Sequence, residues 1–156
     1  MSGAIDRFSE AARALGIEPD VHRFPAGTKT AADAAAAIGC DVEQIVKSLV
    51  FVADGQPVLA FTSGANRVDP GKLAATAGAE HVRRATPDEA RLATGFAVGG
   101  TPPFGHPGRL RAWADPLLLG FDRIWAASGT PDSVFPLTPA ELLRCTGATP
   151  ADFTER

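Results

Sequence analysis

A chain of 156 residues with 45% hydrophobic and 21% charged residues has the make-up of one globular domain, long enough to bury roughly two-thirds of the surface its unfolded chain exposes. A net charge of −3 excludes a general nucleic-acid coat but leaves room for a local basic face, for which Arg83-Arg84 and Arg109 with Arg111 are candidates that read equally as solvated surface. No apolar run approaches the ~20 residues that span a bilayer, residues 1–7 carry no apolar leader, and Cys40 and Cys145 lie far apart outside any CxxC; these features place the chain in a reduced, cytoplasmic setting, off the membrane, with structural thiols.

In chain order, Ser2 is positioned to cap a first helix in which Ile5, Phe8, Ala12 and Leu15 recur at helical spacing and Gly16 ends the run. Residues 21–24 read as a short strand and 25–29 as a loop. Thr30, with Asp33 three residues on, opens a second helix that runs through Ala37 and closes near Gly39. Asp41 is expected to cap a short third helix containing Val42, Ile45 and Val46. Residues 48–53 are apolar and β-branched, Asp54-Gly55 is a tight-turn pair and 58–62 return, which together predict a hairpin. Asp69 and Pro70 start another helix, with Leu73 and Ala77 facing in and Gly78 at its end. Thr86-Pro87-Asp88-Glu89 sets up a further helix by a cap, a proline at the first position and acids at the positive end of the dipole; it ends near Thr94-Gly95. Strands are expected at 96–98, 111–114, 123–127 and 133–136, and Thr138-Pro139-Ala140-Glu141 caps a last helix over 142–146. Hairpins and helices interleave without regular βα alternation, which predicts an α+β fold with a largely antiparallel or mixed sheet in a single domain over 1–156.

The chemistry-bearing residues are few. There is no GxSxG, no P-loop and no HExxH, and neither cysteine sits in a nucleophile context. Two cysteines and three histidines show no zinc-ligand spacing, so no metal and no other cofactor is expected. Gly99-Gly100-Thr101-Pro102-Pro103-Phe104-Gly105-His106 follows a short apolar run. It reads either as a turn between strands or as a stiff loop whose free glycine N–H groups, beside a histidine, hold a carbonyl or oxyanion. Lys47, at the start of an apolar strand, either snorkels to water or meets an anionic or carbonyl partner. His106, His22 and His81 fit satisfied surface histidines, 63–66 reads as a turn or a binding loop, and Trp113 and Trp125 fit core or edge packing.

Three segments, in this order and spacing, resemble the YbaK/ProX family, the editing-domain superfamily of bacterial prolyl-tRNA synthetases and its free-standing relatives: Gln44-Ile45-Val46-Lys47-Ser48-Leu49-Val50-Phe51, then 99–106, then Ala126-Ala127-Ser128-Gly129. The resemblance implies a central mixed sheet surrounded by helices. It implies a trans-editing aminoacyl-tRNA deacylase that hydrolyses the ester of a mischarged small amino acid on tRNA, above all tRNA(Pro), with prolyl-tRNA synthetase as a candidate partner. In that reading Lys47 positions the 3′ end of the substrate, Gly99 and Gly100 hold the scissile carbonyl, and His106 orients the ribose or polarises water. Ser48, Thr101, Pro102, Pro103, Ser128 and Gly129 complete the substrate contacts. Thr101, Pro102 and His106 depart from the Gly-Ile-Ser-Pro-Leu-Gly-Gln pattern of the cysteine-clearing branch, and Phe24 stands where many relatives carry tyrosine. Two other readings compete: a module that holds aminoacyl-tRNA or a synthetase without hydrolysis, and an enzyme for free small esters.

Overall fold

The computed structural model of the chain describes residues 3–25 and 30–156; the expected cap at Ser2 and residues 26–29 of the expected loop lie outside these. Its elements are α1 (Ala4–Ala14), β1 (His22–Arg23), α2 (Ala31–Ile38), β2 (Ile45–Ala53), β3 (Gln56–Ser63), α3 (Pro70–Ala77), β4 (Val82–Arg84), α4 (Pro87–Thr94), β5 (Arg111–Ala114), β6 (Ile124–Ala127), β7 (Ser133–Leu137), α5 (Pro139–Thr146) and β8 (Thr149–Pro150), with 3-10 turns at Val42–Gln44 and Pro116–Gly120. The strands form one mixed sheet in the order β1-β7-β6-β2-β3-β5-β8, and β4 joins it by pairing with β2. Strands β2 and β3 are antiparallel, whereas β6 runs parallel to β2 and β5 parallel to β3.

The hairpin of β2 and β3 organises the sheet. Its two turn residues, Asp54 (φ 48°) and Gly55 (φ 84°), both lie at positive φ, as a type I′ turn requires. The Asp54 carboxylate accepts hydrogen bonds from the backbone N–H groups of Glu80 and His81, so the turn also fixes the approach of β4. The helix starts follow their caps: the Thr30, Thr86 and Thr138 hydroxyls accept from the N–H groups of Asp33, Glu89 and Glu141, and the Asp69 carboxylate from Gly71 and Lys72.

Two expectations are corrected. The third helix is a single 3-10 turn, and Ile45 and Val46 are the first residues of β2. The Gln44 side chain explains the early stop: it accepts from Asp41 N–H and donates to Arg123 O, both at 3.0 Å, leaving Ile45 extended (φ −87°, ψ 129°). Residues 96–98 are not a strand. Phe96 donates its N–H to Thr94 Oγ1 and Gly100 N–H closes a turn onto Ala97 O; of the apolar run only Phe96 is buried.

Side-chain alternation sorts β2 between two faces. Val46 and Val50 join Phe8, Leu59, Phe61, Phe96, Phe104, Phe135 and Leu142 in the core beneath α1, α4 and α5. On the other face Ile45 packs with Ala34, Ala35, Trp125 and Val134 against α2, while Phe51 and Ala53 pack with Leu73, Ala77, Trp113 and Phe153 against α3. Lys47 and Leu49 belong to this second face; Leu49 packs against the α3 cluster, and Lys47 lies along β2 between it and Ile45 of the α2 cluster.

Candidate active site in a split of the sheet

One edge of β2 is shared by two strands. β6 pairs with Ile45 and Val46, and β4 pairs with Phe51, Val52 and Ala53. Between them β2 faces a cavity of about 440 Å³. Backbone groups of alternate residues point to the same edge of a strand. Val50 O accepts from Ala85 N–H across this edge, so the Ser48 peptide groups face the split. Lys47, Ser48 and Leu49 line the cavity from β2, Ala126 and Ala127 from β6, Pro87 and Ala90 from α4, Val98, Gly99 and Thr101 from the glycine–proline loop, and Thr30, Ala31 and Ala34 from the start of α2.

Lys47 is held from below. Its Nζ donates to Asn66 O at 2.5 Å; Asn66 Nδ2 in turn donates to Asp115 Oδ2 at 2.9 Å. The same carboxylate accepts the N–H groups of Ser63 (3.1 Å) and Leu117 (3.0 Å). Asp115 is 2% exposed, and three donors satisfy the lone pairs that burial would otherwise leave bare. Burial holds the Lys47 ammonium below the ordinary lysine range, the Arg84 and Arg67 guanidiniums push the same way, and Asp115 opposes them. An ammonium has three donors, and among the described residues only one of Lys47's is taken by the protein, which leaves donors for a phosphate or a ribose hydroxyl.

The glycine–proline loop is bolted in place rather than open along its length. Gly100 spends its N–H on Ala97 O, and its own carbonyl accepts from Gly129 N–H at 3.0 Å. A Cβ on Gly100 would lie 2.8 Å from Thr130 backbone, and one on Gly129 would lie 2.7 Å from Ala4 O; both glycines permit close backbone crossings. Gly99 (φ 90°) sits on the cavity wall with no such crowding.

Of the residues predicted from sequence, Lys47, Ser48, Gly99 and Thr101 therefore share one cavity. Pro103 and His106 line a second cavity of about 290 Å³ with Arg109 and Cys145. Gly100, Pro102, Ser128 and Gly129 line neither. His106 Nε2 lies 2.8 Å from Pro102 O; a carbonyl only accepts, so Nε2 carries the proton. Burial holds the imidazole below its usual pKa, with the Pro102 bond opposing, and the ring is neutral at pH 7. Ser128 is buried and donates its N–H to Ser133 O. The hydroxyls of Ser48 and Ser128 are buried without a partner among the described residues. Burial pushes both thiols up, away from the depressed pKa that marks a nucleophile.

Asn66 enters the sequence reading only within the 63–66 loop and Arg84 only within a candidate basic face, and Arg67 and Asp115 carry no site motif. Asp115-Pro116 carries the same Asp-Pro helix-start signal as Asp69-Pro70, which is the one trace it leaves in the sequence.

The eight-stranded mixed sheet and the five helices of the described residues are shared with a solved structure. They superpose over 100% of this chain and 99% of the other, with a TM-score of 0.94 and 46% identity, on that structure, which is described as a candidate trans-editing enzyme for prolyl tRNA synthetase. The chain belongs to the aminoacyl-tRNA editing domain family, which matches residues 25–145. The uncharacterized protein YwhH of Bacillus subtilis (strain 168) is 34% identical over 126 residues, 80% of each chain. A proline–tRNA ligase of Nitratidesulfovibrio vulgaris (strain DP4) is 37% identical over 94 residues, which are 60% of this chain and 16% of the ligase. Among the described residues, no helix is long and apolar enough to cross a membrane.

Proposed function

We propose that this protein is a trans-editing deacylase that hydrolyses the ester joining a small, wrongly attached amino acid to the 3′-terminal adenosine of a tRNA, with tRNA(Pro) as its acceptor. The observation that carries this reading is the placement of Lys47 at the mouth of the sheet split, with donors to spare, opposite Gly99 and Thr101. The tRNA(Pro) assignment is supported by the likeness to a candidate trans-editing enzyme for prolyl tRNA synthetase and to part of a proline–tRNA ligase.

In this mechanism Lys47 fixes a phosphate or ribose hydroxyl of the 3′ end, which aligns the ester in the split. Water adds to the carbonyl carbon and the carbonyl electron pair moves to oxygen. Collapse breaks the bond to the ribose oxygen, which takes a proton from water, so that one water is consumed and the free amino acid and the tRNA hydroxyl are released. An aminoacyl ester is already activated, so one well-placed donor to the oxyanion, contributing about 3–4 kcal/mol, is a large share of what catalysis must supply. Gly100 N–H is occupied; the Ser48 N–H, facing the split, takes that role, and Gly99 lets the ester come close because no Cβ intervenes. The walls contributed by Ala90, Val98, Thr101 and Ala126 and a volume at the lower end of ligand pockets select small acyl groups. His106 acts as a brace, its Nε2–H pinning the loop through Pro102 O, and not as a base on the substrate.

The test is a deacylation time course on tRNA(Pro) charged in turn with alanine, serine, threonine, cysteine and proline, with wild-type protein and Lys47→Ala. The expected result is turnover of one or more small amino acids but not proline, and its loss in a still-folded Lys47→Ala. Wild-type activity in the variant overturns the role of Lys47. Binding without turnover on every member overturns the deacylase reading in favour of a module that only holds tRNA ends.

A further inference from the structure

We infer that the sheet face between α2 and α3 is a track for the single-stranded 3′ end of an RNA, with Lys47, Arg67 and Arg84 as its phosphate contacts. The identity of the RNA rests on the deacylase reading; the surface and its residues rest on the geometry below.

Directly opposed residues of an antiparallel pair present their side chains to the same face. Arg84 opposes Phe51 in the β2–β4 ladder, and its guanidinium carbon lies 5.7 Å from the Phe51 ring centroid. Phe51, Leu49 and Lys47 alternate onto one face of β2, so Arg84 stands on the same face as Lys47, at the other end of the strip. Four residues of strand separate the two levels, roughly 13 Å. Arg67 directly follows Asn66, whose carbonyl holds Lys47 Nζ, and its guanidinium is near enough to act on the Lys47 charge. Both arginines are exposed.

These cations lack carboxylate partners. Among the described residues neither Arg67 nor Arg84 is bonded to an acid, whereas Arg23, Lys72 and Arg156 each have one. Arg83, next to Arg84 in sequence, alternates to the opposite face and is held by both oxygens of Glu89 at 2.7 and 2.8 Å. Among the described residues the carboxylate that acts on Lys47 is Asp115, which is buried and already committed to three N–H groups. Like charges gathered on one face repel, and the two arginines disfavour the charged form of Lys47; an anion of matching spacing relieves that repulsion. Guanidinium groups suit phosphate oxygens by their planar fork. The strip ends at the split where the ester is hydrolysed, so an occupant is a strand that threads into the cavity by its 3′ end and not a duplex lying across the sheet.

The experiment is fluorescence anisotropy with a 5′-labelled RNA hairpin carrying a single-stranded CCA tail, titrated at salt concentrations from 50 to 200 mM, for wild type, Arg67→Gln, Arg84→Gln and Arg83→Gln. Three phosphate contacts on a single strand predict a log–log salt slope near −2, which is a loss of about 20-fold over that range. Arg67→Gln and Arg84→Gln are each expected to weaken binding and to flatten the slope by about 0.7, while Arg83→Gln leaves the slope as it is. Unchanged slopes in Arg67→Gln and Arg84→Gln overturn the inference, as does an equal effect of Arg83→Gln, or equally tight binding of the hairpin with its tail removed. The outcome is separable from the deacylase test: hydrolysis with no arginine effect removes the track and leaves the enzyme, and an arginine-dependent slope without hydrolysis does the reverse.

Discussion

Removing the Asp115 carboxylate is expected to cost both stability and catalysis, by routes that can be told apart. In Asp115→Ala three N–H groups lose their acceptor. The Ser63 N–H belongs to a residue that is 0% exposed, and leaving such a donor bare costs about 1–3 kcal/mol. Leu117 N–H and Asn66 Nδ2 lie nearer to solvent and lose about 0.5–1.5 kcal/mol each. The sum is roughly 2–6 kcal/mol, and at about 2–4 °C per kcal/mol for a chain of this size the melting temperature falls by roughly 10 °C. A drop of less than about 3 °C by thermal circular dichroism refutes this accounting.

In the proposed mechanism the catalytic part of the effect runs through Lys47. Asp115 holds the turn whose Asn66 carbonyl binds the ammonium, and it is the charge that favours the protonated form. Asp115→Asn keeps the shape of the side chain but removes the charge and one acceptor. It is expected to lower kcat/KM about tenfold, equivalent to about 1.4 kcal/mol. Because Asp115 is the charge that favours the protonated Lys47, the alkaline limb of the kcat/KM profile is expected to move to lower pH in Asp115→Asn. An unmoved limb shows that Asp115 acts independently of Lys47, and the assignment of Asp115 as a positioning residue then fails.

The two glycines of the loop are expected to respond differently to alanine. Gly100→Ala drives a Cβ to 2.8 Å from Thr130 backbone and costs about 1–3 kcal/mol with loss of activity, whereas Gly99→Ala meets nothing nearer than 3.8 Å and costs about 1–2 kcal/mol through its positive φ alone; equal melting temperatures for Gly100→Ala and wild type refute the bolted-loop description. His106 has a folded-state pKa below that of the unfolded chain, so its contribution is present above about pH 6.5 and is lost as pH falls from there toward the folded value, because the unfolded state takes up the proton first. Urea midpoints at pH 7.5 and 5.5 are expected to fall further for wild type than for His106→Gln, and parallel pH dependences contradict the brace.

Much of the fold is legible because its punctuation is local. The helix caps at Thr30, Asp69, Thr86 and Thr138 act through side chains on N–H groups two or three residues away, so they are written in adjacent residues. The Asp54-Gly55 turn is equally local. What is not legible depends on pairing. β4 is three residues long, too short for periodicity, and is a strand because the register of β2 offers it an edge. Residues 96–98 carry strand-like composition, but Gly95 and the Thr94 hydroxyl turn the backbone and leave Phe96 alone in the core. Lys47 stays ambiguous in sequence because its carbonyl partner is 19 residues away, across a hairpin. Asp115 looks like one more helix cap; one oxygen does cap the 3-10 turn at Leu117, and the other reaches Ser63 and Asn66, a role fixed only by the parallel pairing of β5 with β3.

The split itself follows from the mixed character of the sheet. A parallel strand, β6, and an antiparallel strand, β4, approach the same edge of β2 from opposite ends and stop short of each other. Backbone groups at a gap in a sheet are costly when nothing meets them, and the Ser48 hydroxyl beside the gap is buried without a partner among the described residues. Filling the gap with a longer β6 would satisfy the Ser48 peptide but would close the cavity. An ester whose carbonyl accepts from that peptide satisfies the same groups only while it is bound. In the proposed reading, the gap between β6 and β4 is a binding preference built into strand lengths. Extending β6 by substitution after Ala127 would raise stability and abolish deacylation together, a pairing that loss of a single catalytic side chain does not produce.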